Sequence, residues 1–324
     1  MRARAAQARG GARQRGVALL TAVVLVALAT VVAAAIAFDT ALSARRGGGA
    51  AAQDQAVLIA GAAEAFAAQV LVGALGEGSA VIHPGQAWAQ PIGPLEALPG
   101  AALQASMSDL QGRFNLNSLV DRNGVRDDVA VRVFERLLAN LGLEPDWATA
   151  MVDWIDRDLN PGPGGAEDGV YTSETPSYRP PNRPITSTSE LLALKDFGAE
   201  RYARLAPFVA ALPRDAPLNV CSASGPLLDA LTGEQQWTRA PESLARNRAG
   251  RCFPRLDAFR ATFADATAFE RVQGSLGLAE RSAWFQLRSV ATIGTSEFAL
   301  YSLLRYEGGA GSPRVRVVTR GFTE

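Results

Sequence analysis

"ARQRGVALLTAVVLVALATVVAAAIAFDTALSARR" occupies Ala12 to Arg46, and the fold turns on how this stretch is read. Arginines and a glycine precede 22 residues, Val17 to Phe38, that carry no charge. At ~1.5 Å per residue such a helix reaches about 33 Å, enough to cross a hydrocarbon core of ~30 Å. Arg2, Arg4, Arg9, Arg13 and Arg15 lie before it with no acid among them, which predicts a cytoplasmic N-terminus and export of the remainder. An export signal cut at Ala33-Ala34-Ala35 or Ala35-Ile36-Ala37 and a permanent N-terminal anchor both fit that pattern.

Outward from the anchor, 324 residues predict two folded units besides the membrane segment. A hydrophobic share of 48% against 20% charged is that of a globular chain with apolar surface to spare for a span. The formal net charge is zero, which gives no electrostatic reason for nucleic-acid binding. Setting aside the five leader arginines leaves 27 basic against 32 acidic residues, a net of −5. A mildly acidic exported part suits a cationic partner or a divalent metal. Cys221 and Cys252 pair in one disulfide if that part is exported, and are two buried thiols if it is not.

Thr40 to about Leu75 keeps a helical composition, with Leu58, Ala62, Phe66 and Val70 as its apolar stripe. Gly47–Gly49 should weaken or melt that helix, at about 1 kcal/mol per glycine against alanine. Residues 76–100, rich in glycine and proline, read as irregular connection, and 103–109 ("LQASMSD") as a first strand. "VRVFERLLANLGLEPDWATAMVDWIDRD" and "STSELLALKDFGAERYARLAPFVAALP" are helical, with Ser189 as an N-cap. "AWFQLRSVA", "EFALYSLLRYE" and "RVRVVTR" close the chain as an antiparallel meander. Strand signals thus flank a helical block. Within it, Asn115 and Asn117 read as turn formers, and Trp147 and Trp154, one heptad apart, as core. "SELLALKDFGAERYARL" has a faint helix-hairpin-helix flavour, read on this acidic chain as a packing scaffold.

Candidate chemistry concentrates in "DWIDRDLNPGPGGAEDGVY", Asp153 to Tyr171. Asp156 and Asp158 stand at a helix end, and a proline–glycine loop can fold Glu167 and Asp168 back on them. Four carboxylates in one loop suit a hard cation that takes 6–8 oxygens, hence calcium, although the spacing is not that of an EF-hand. A solvated acidic turn explains the same residues. Zinc has no thiol or imidazole nearby. The single histidine, His83, sits in a proline-rich connection, and no G-x-S-x-G, P-loop or dinucleotide fingerprint occurs, so the expectation is that the chain is not an enzyme.

"RQRGVALLT" resembles the prepilin-peptidase site of type IV pilins and type II secretion pseudopilins. The resemblance implies a cut between Gly16 and Val17, methylation of the new amino group, and retention of the whole apolar helix. Glycine at the cut offers the protease an extended backbone without bulk. Those families usually place a glutamate at the fifth mature position, which is Thr21 here. A carboxylate unpaired in hydrocarbon is costly, so its absence fits a subunit with no neighbour above it. "LQGRFNLNSL" (Leu110–Leu119), "MVDWIDRD" (Met151–Asp158), "GGAEDGVY" (Gly164–Tyr171), "PSYRPPNRPITSTSELL" (Pro176–Leu192) and "LAPFVAALPRDAPLNVCSA" (Leu205–Ala223) extend the likeness along nearly the whole chain. Together they resemble the type II secretion minor pseudopilin K, the general secretion pathway protein K family. Cys221 and Ser222 replace the second Asn and the Thr of that family's usual Asn-Val-Asn-Thr-Ala.

The resemblance implies an α+β fold: a pilin-like long N-terminal helix and small antiparallel sheet, interrupted by a large all-α insertion of two helical subdomains. The expected divisions are a leader (1–16), a transmembrane and extended helix (17–75), a linker with the first strand (76–112), the insertion (113–255), and a helix with the closing strands (256–324). It also implies a single-pass inner-membrane protein with its globular part in the periplasm. Such a protein would cap the pseudopilus and help start its assembly, with minor pseudopilins I and J, and H as a further candidate. Prepilin peptidase and the inner-membrane secretion platform are the other partners. The alternatives are a minor tip pilin of a type IV pilus, in adhesion or DNA uptake, and a membrane-tethered periplasmic hydrolase using acids such as Asp156 and Glu167.

Overall fold

A computed structural model describes residues 15–76, 81–308 and 313–322. The leader expected at 1–16 lies outside the described residues up to position 14. The chain divides into two compact units, residues 1–55 and 56–324. In the first, the described residues all belong to helix α1 (Arg15–Gly76), whose apolar side chains from Val17 to Phe38 are exposed. Its apolar stretch is long enough to cross a membrane. The helix is continuous through Gly47–Gly49, where a weak segment was expected. Alanine-rich sequence on both sides supplies the propensity, and propagation through a glycine costs less than a new helix start.

In the second unit the last turns of α1 lie on a five-stranded antiparallel sheet. β1 (Ile92–Leu98) and β2 (Ala101–Asp109) form a hairpin at the front of it. β1 falls in the segment expected to be irregular. It is an exposed edge strand with register breaks on both sides of its centre, which is where Pro94 is tolerated. Gly100 makes the turn with a φ of 77°, a conformation glycine adopts without penalty.

Beyond β2 come β3 (Phe114–Asn115), α2 (Asp128–Asn140), α3 (Trp147–Ile155), the one-turn α4 (Asp168–Tyr171), α5 (Gly198–Leu205), β4 (Val209–Ala210) and β5 (Leu218–Asn219). The block finishes with α6 (Gly225–Thr232), α7 (Pro241–Arg248), α8 (Leu256–Arg260), α9 (Ala266–Leu276) and β6 (Leu278–Ala279). β7 (Trp284–Ile293), β8 (Ser296–Glu307) and β9 (Arg314–Gly321) then complete the sheet in the order β1-β2-β7-β8-β9. β2 and β7 are neighbours from Ala101↔Ile293 to Asp109↔Phe285, so everything between them is inserted into one sheet. The inserted block has one contiguous core, and Phe259, Phe263, Phe269, Val272 and Leu276 belong to it. It therefore runs past the expected boundary at 255, up to β7. Its helices are shorter than the sequence suggested. Residues 188–193 are a 3₁₀ turn capped by Ser187, not Ser189, because Glu190 reaches back to the Ser187 amide and completes a capping box.

The stripe of α1 that meets the sheet is Ile59, Ala63, Ala67, Leu71 and Leu75, one residue on from the expected stripe. Alanines at 56, 60, 63 and 67 let the helix backbone approach the strands, while the bulkier Leu58 and Phe66 stay 75% and 55% exposed. Glu64, on the buried side, is held below its usual carboxylate range by hydrogen bonds from Arg320 and Ser302, against the opposing effect of burial. At the sheet's other end Asp109 is buried and accepts from the Gln111 amide, Asn219 Nδ2 and Ser282 Oγ at 2.7–2.9 Å. Burial pushes this carboxyl up despite those donors. Asn219 also donates to the Ile82 carbonyl, so one side chain ties the insertion, the sheet and the 81–90 connection together.

Candidate functional site: a carboxylate loop and the processed helix

α3 is apolar on most faces yet carries Asp153, which is buried. Its carboxylate accepts from the Gly162 and Ala166 amides at 3.1 and 2.9 Å, folding the proline–glycine loop back onto the helix end. A Cβ at Gly165 would collide with that carboxylate, so the close approach requires glycine here. The return brings Glu167 to Asp156, which caps the C-terminus of α3, and to Asp158. One oxygen from each of the three lies within 4.8 Å of the others.

These acids are poorly satisfied. Burial, with repulsion from Asp158 and Asp153, pushes Asp156 up to about 6. Burial first, then repulsion from Asp156, Asp153 and Asp158 against a hydrogen bond from Asn182, pushes Glu167 up to about 7. Asp156 Oδ1, Glu167 Oε1 and Asn182 Oδ1 are buried without a hydrogen-bond partner. Carboxylates crowded in this way, with oxygens left over and no ion pair to Asp156, Asp158 or Glu167 among the described residues, form an acceptor-rich nest of the kind a hard metal ion satisfies.

Asp168 does not join them. It begins α4, turns outward and pairs with Arg179 at 3.0 Å, since the helical turn directs consecutive side chains away from each other. Two contributors were missed. Asp153 reads as one more acid of the segment until the loop is seen hydrogen-bonded to it. Asn182, 15 residues past Glu167, donates to the Asp158 carbonyl at 2.8 Å and to Glu167 at 3.4 Å, and nothing local in the sequence places it there.

The other expected residues fall as follows. Cys221 and Cys252 are joined by a disulfide. Glu280 lies beside them, but bonded sulfurs cannot serve as thiolate ligands. Val17 and Thr21 lie on the exposed surface of α1, and the Thr21 hydroxyl donates to the Ala18 carbonyl at 3.0 Å, so it is satisfied within its own helix. Gly16 is part of the same helix. Asn115 and Asn117 are structural: each caps or bridges backbone, with Asn117 Nδ2 donating to Ile185 and Leu212 carbonyls at 2.9 Å. Trp154 is core, edge-on to Tyr171, and Trp147 is half-buried against Phe197. His83 is buried, which lowers its pKa, and its Nδ1 accepts from the Gly85 amide at 3.2 Å.

A family model described as type II secretion system (T2SS), protein K, matches residues 112–214, the first part of the insertion. The type II secretion system protein K of Pseudomonas aeruginosa is 37% identical over 317 residues, 95% of this chain and 92% of that one. The protein of the same name from Pectobacterium carotovorum is 31% identical over 96% of this chain and 97% of its own length. Among solved structures, the fold is similar, with a TM-score of 0.70 and 25% identity, to a chain in the crystal structure of the GspK–GspI–GspJ complex from the enterotoxigenic Escherichia coli type 2 secretion system. That likeness covers 83% of this chain and 96% of the other. With such identity sustained along both lengths, the chain belongs to the type II secretion system protein K family.

Proposed function

We propose that this protein is a minor pseudopilin of the type II secretion system that caps the pseudopilus with subunits I and J, H being a further candidate, and helps start its assembly. The observation that carries this reading is the likeness to 96% of a chain solved in a complex of K, I and J. The outward face of α1 supports it. Leu58 and Phe66 project from a helix whose other side is already seated on its own sheet, as expected of a surface that packs against a neighbouring pseudopilin helix. Five curated relatives named type II secretion system protein K favour this system over the type IV pilus alternative.

In the same reading the protein is inserted once in the inner membrane, with its N-terminus cytoplasmic and its globular part periplasmic. Prepilin peptidase cuts between Gly16 and Val17, and the mature helix enters the fibre from the inner-membrane platform. Thr21, satisfied by its own helix, needs no partner above it. The role is assembly without catalysis, consistent with a histidine whose Nδ1 is occupied by backbone. Asp156, Asp158 and Glu167 would hold calcium and lock the 156–167 loop against α3. Bound calcium supplies the positive charge these carboxylates lack.

Co-purification tests the tip assignment. Full-length tagged protein co-expressed with I and J should bring both down, and Leu58→Glu with Phe66→Glu should abolish this while leaving the unfolding transition within about 0.5 kcal/mol. Recovery of I and J with that double variant, or their absence with the wild type, removes the proposed packing face.

A further inference from the structure

On the inserted block, α2, the end of α6 and the start of α9 enclose a cavity of about 310 Å³. Val133, Leu231, Phe263 and Val272 form its floor, all with less than a tenth of their surface exposed. Its rim is basic. Arg132 and Arg136 lie one turn apart on α2, Arg271 faces them from α9, and all three are exposed. None of the three forms an ion pair with a carboxylate among the described residues. Arg136 reaches only the Ala230 carbonyl at 3.4 Å, and Arg271 the Thr267 carbonyl at 3.3 Å. Asp265, the one acid in the lining, is engaged as the N-cap of α9, accepting from the Ala268 amide at 2.7 Å.

Exposed arginines elsewhere are mixed: Arg126, Arg255, Arg260 and Arg314 each have a carboxylate partner, whereas Arg122, Arg157 and Arg183 form no ion pair among the described residues, so what sets the groove apart is that three such guanidiniums converge on one apolar floor. Three guanidiniums left without one around an apolar floor, on a part of the chain with an excess of acids, form a site complementary to negative charge around a hydrophobic anchor. The volume accommodates one bulky side chain with its flanking backbone, while the forked guanidiniums pair with carboxylates on either side of it.

We infer that this α2–α9 groove docks a short acidic segment of another protein, one that inserts a single bulky apolar side chain between Arg132 and Arg271. The groove is separate from the carboxylate loop and from the outward face of α1, so the inference stands apart from the tip assignment.

The test uses full-length protein in neutral detergent and a fluorescein-labelled heptapeptide with one central phenylalanine flanked by aspartates and glutamates, and the variant arms use peptides of the same length. Fluorescence anisotropy should show binding that weakens as ionic strength rises from about 0.05 to about 0.5 M, where the Debye length shrinks below side-chain reach. The amide counterpart of the peptide should not bind. R132E/R271E should weaken binding about tenfold or more, and should instead take up a heptapeptide with lysines as flanks. That rescue separates lost charge pairing from lost folding, and the milder R132Q/R271Q provides a second check. No binding of the acidic peptide, equal binding of its amide counterpart, or unchanged binding by R132E/R271E overturns the inference. So does binding of phosphatidylglycerol vesicles or inorganic phosphate in place of the peptide, since the groove would then recognise phosphate.

Discussion

Replacing Glu167 by glutamine should have opposite effects with and without calcium. Glu167 titrates at about 7 against an ordinary 4.5. At about 1.4 kcal/mol per pH unit, that gap of roughly 2.5 units sets a ceiling near 3 kcal/mol for the cost of its charge at pH 7. Repulsion shared with Asp156 and water entering the metal-free loop reduce this to about 1.5 kcal/mol. The sign follows from proton binding. A raised carboxyl holds its proton in the folded protein where the unfolded chain has released it, so metal-free stability falls as pH rises from about 4.5 through about 7. Glu167→Gln removes that charge and should raise the metal-free melting temperature at pH 7 by about 3–6 °C, at about 2–4 °C per kcal/mol. Calcium at a hundredfold excess over its dissociation constant adds about 2.7 kcal/mol to the wild type and should add little to the variant, so their order reverses. Differential scanning calorimetry of the full-length protein in detergent, in chelator and in calcium at pH 5 and 7, provides the measurement. A variant less stable than wild type in chelator, or equal calcium gains in both, refutes the reasoning.

Intact mass of protein from secreting cells should correspond to a chain starting at N-methylated Val17, and a start after Ala35 or Ala37 would make the helix a discarded signal. Leu71→Ala, at a fully buried contact between α1 and the sheet, should cost about 2–5 kcal/mol in chemical denaturation; a loss below 1 kcal/mol would mean that this face is not packed as described. Cys221→Ser with Cys252→Ser opens a loop closed by a sequence separation of 31 and should cost about 3–4 kcal/mol, read as a shift in the urea midpoint, with no shift expected if the thiols are free in the cell.

Much of the fold was legible locally. An uncharged run of membrane length, the period-2 alternation of the last strands and the proline–glycine loop each announce their structure through neighbours a few residues apart. β1 was missed because an exposed edge strand need not alternate, and its Gly93–Pro94 pair resembles a loop. The outward stripe Leu58–Phe66 was mistaken for the inward one because apolar residues lie on more than one face of α1, so periodicity cannot fix which face meets the sheet. In the candidate site the sequence marked Asp156, Asp158 and Glu167, but it could neither exclude Asp168 nor include Asn182.

The sequence by itself determined an apolar run long enough to cross a membrane, the α+β order and the family. These depend on composition and on motifs whose meaning is carried by short range. Only the tertiary structure decided which alanines of α1 touch the sheet, that Asp153 draws the loop closed, and that Arg132 and Arg271 face each other across a groove. Those relations join residues more than a hundred positions apart, 139 for Arg132 and Arg271 and 235 for Ala56 and Ala291, and depend on chain packing and side-chain direction, which no local pattern encodes.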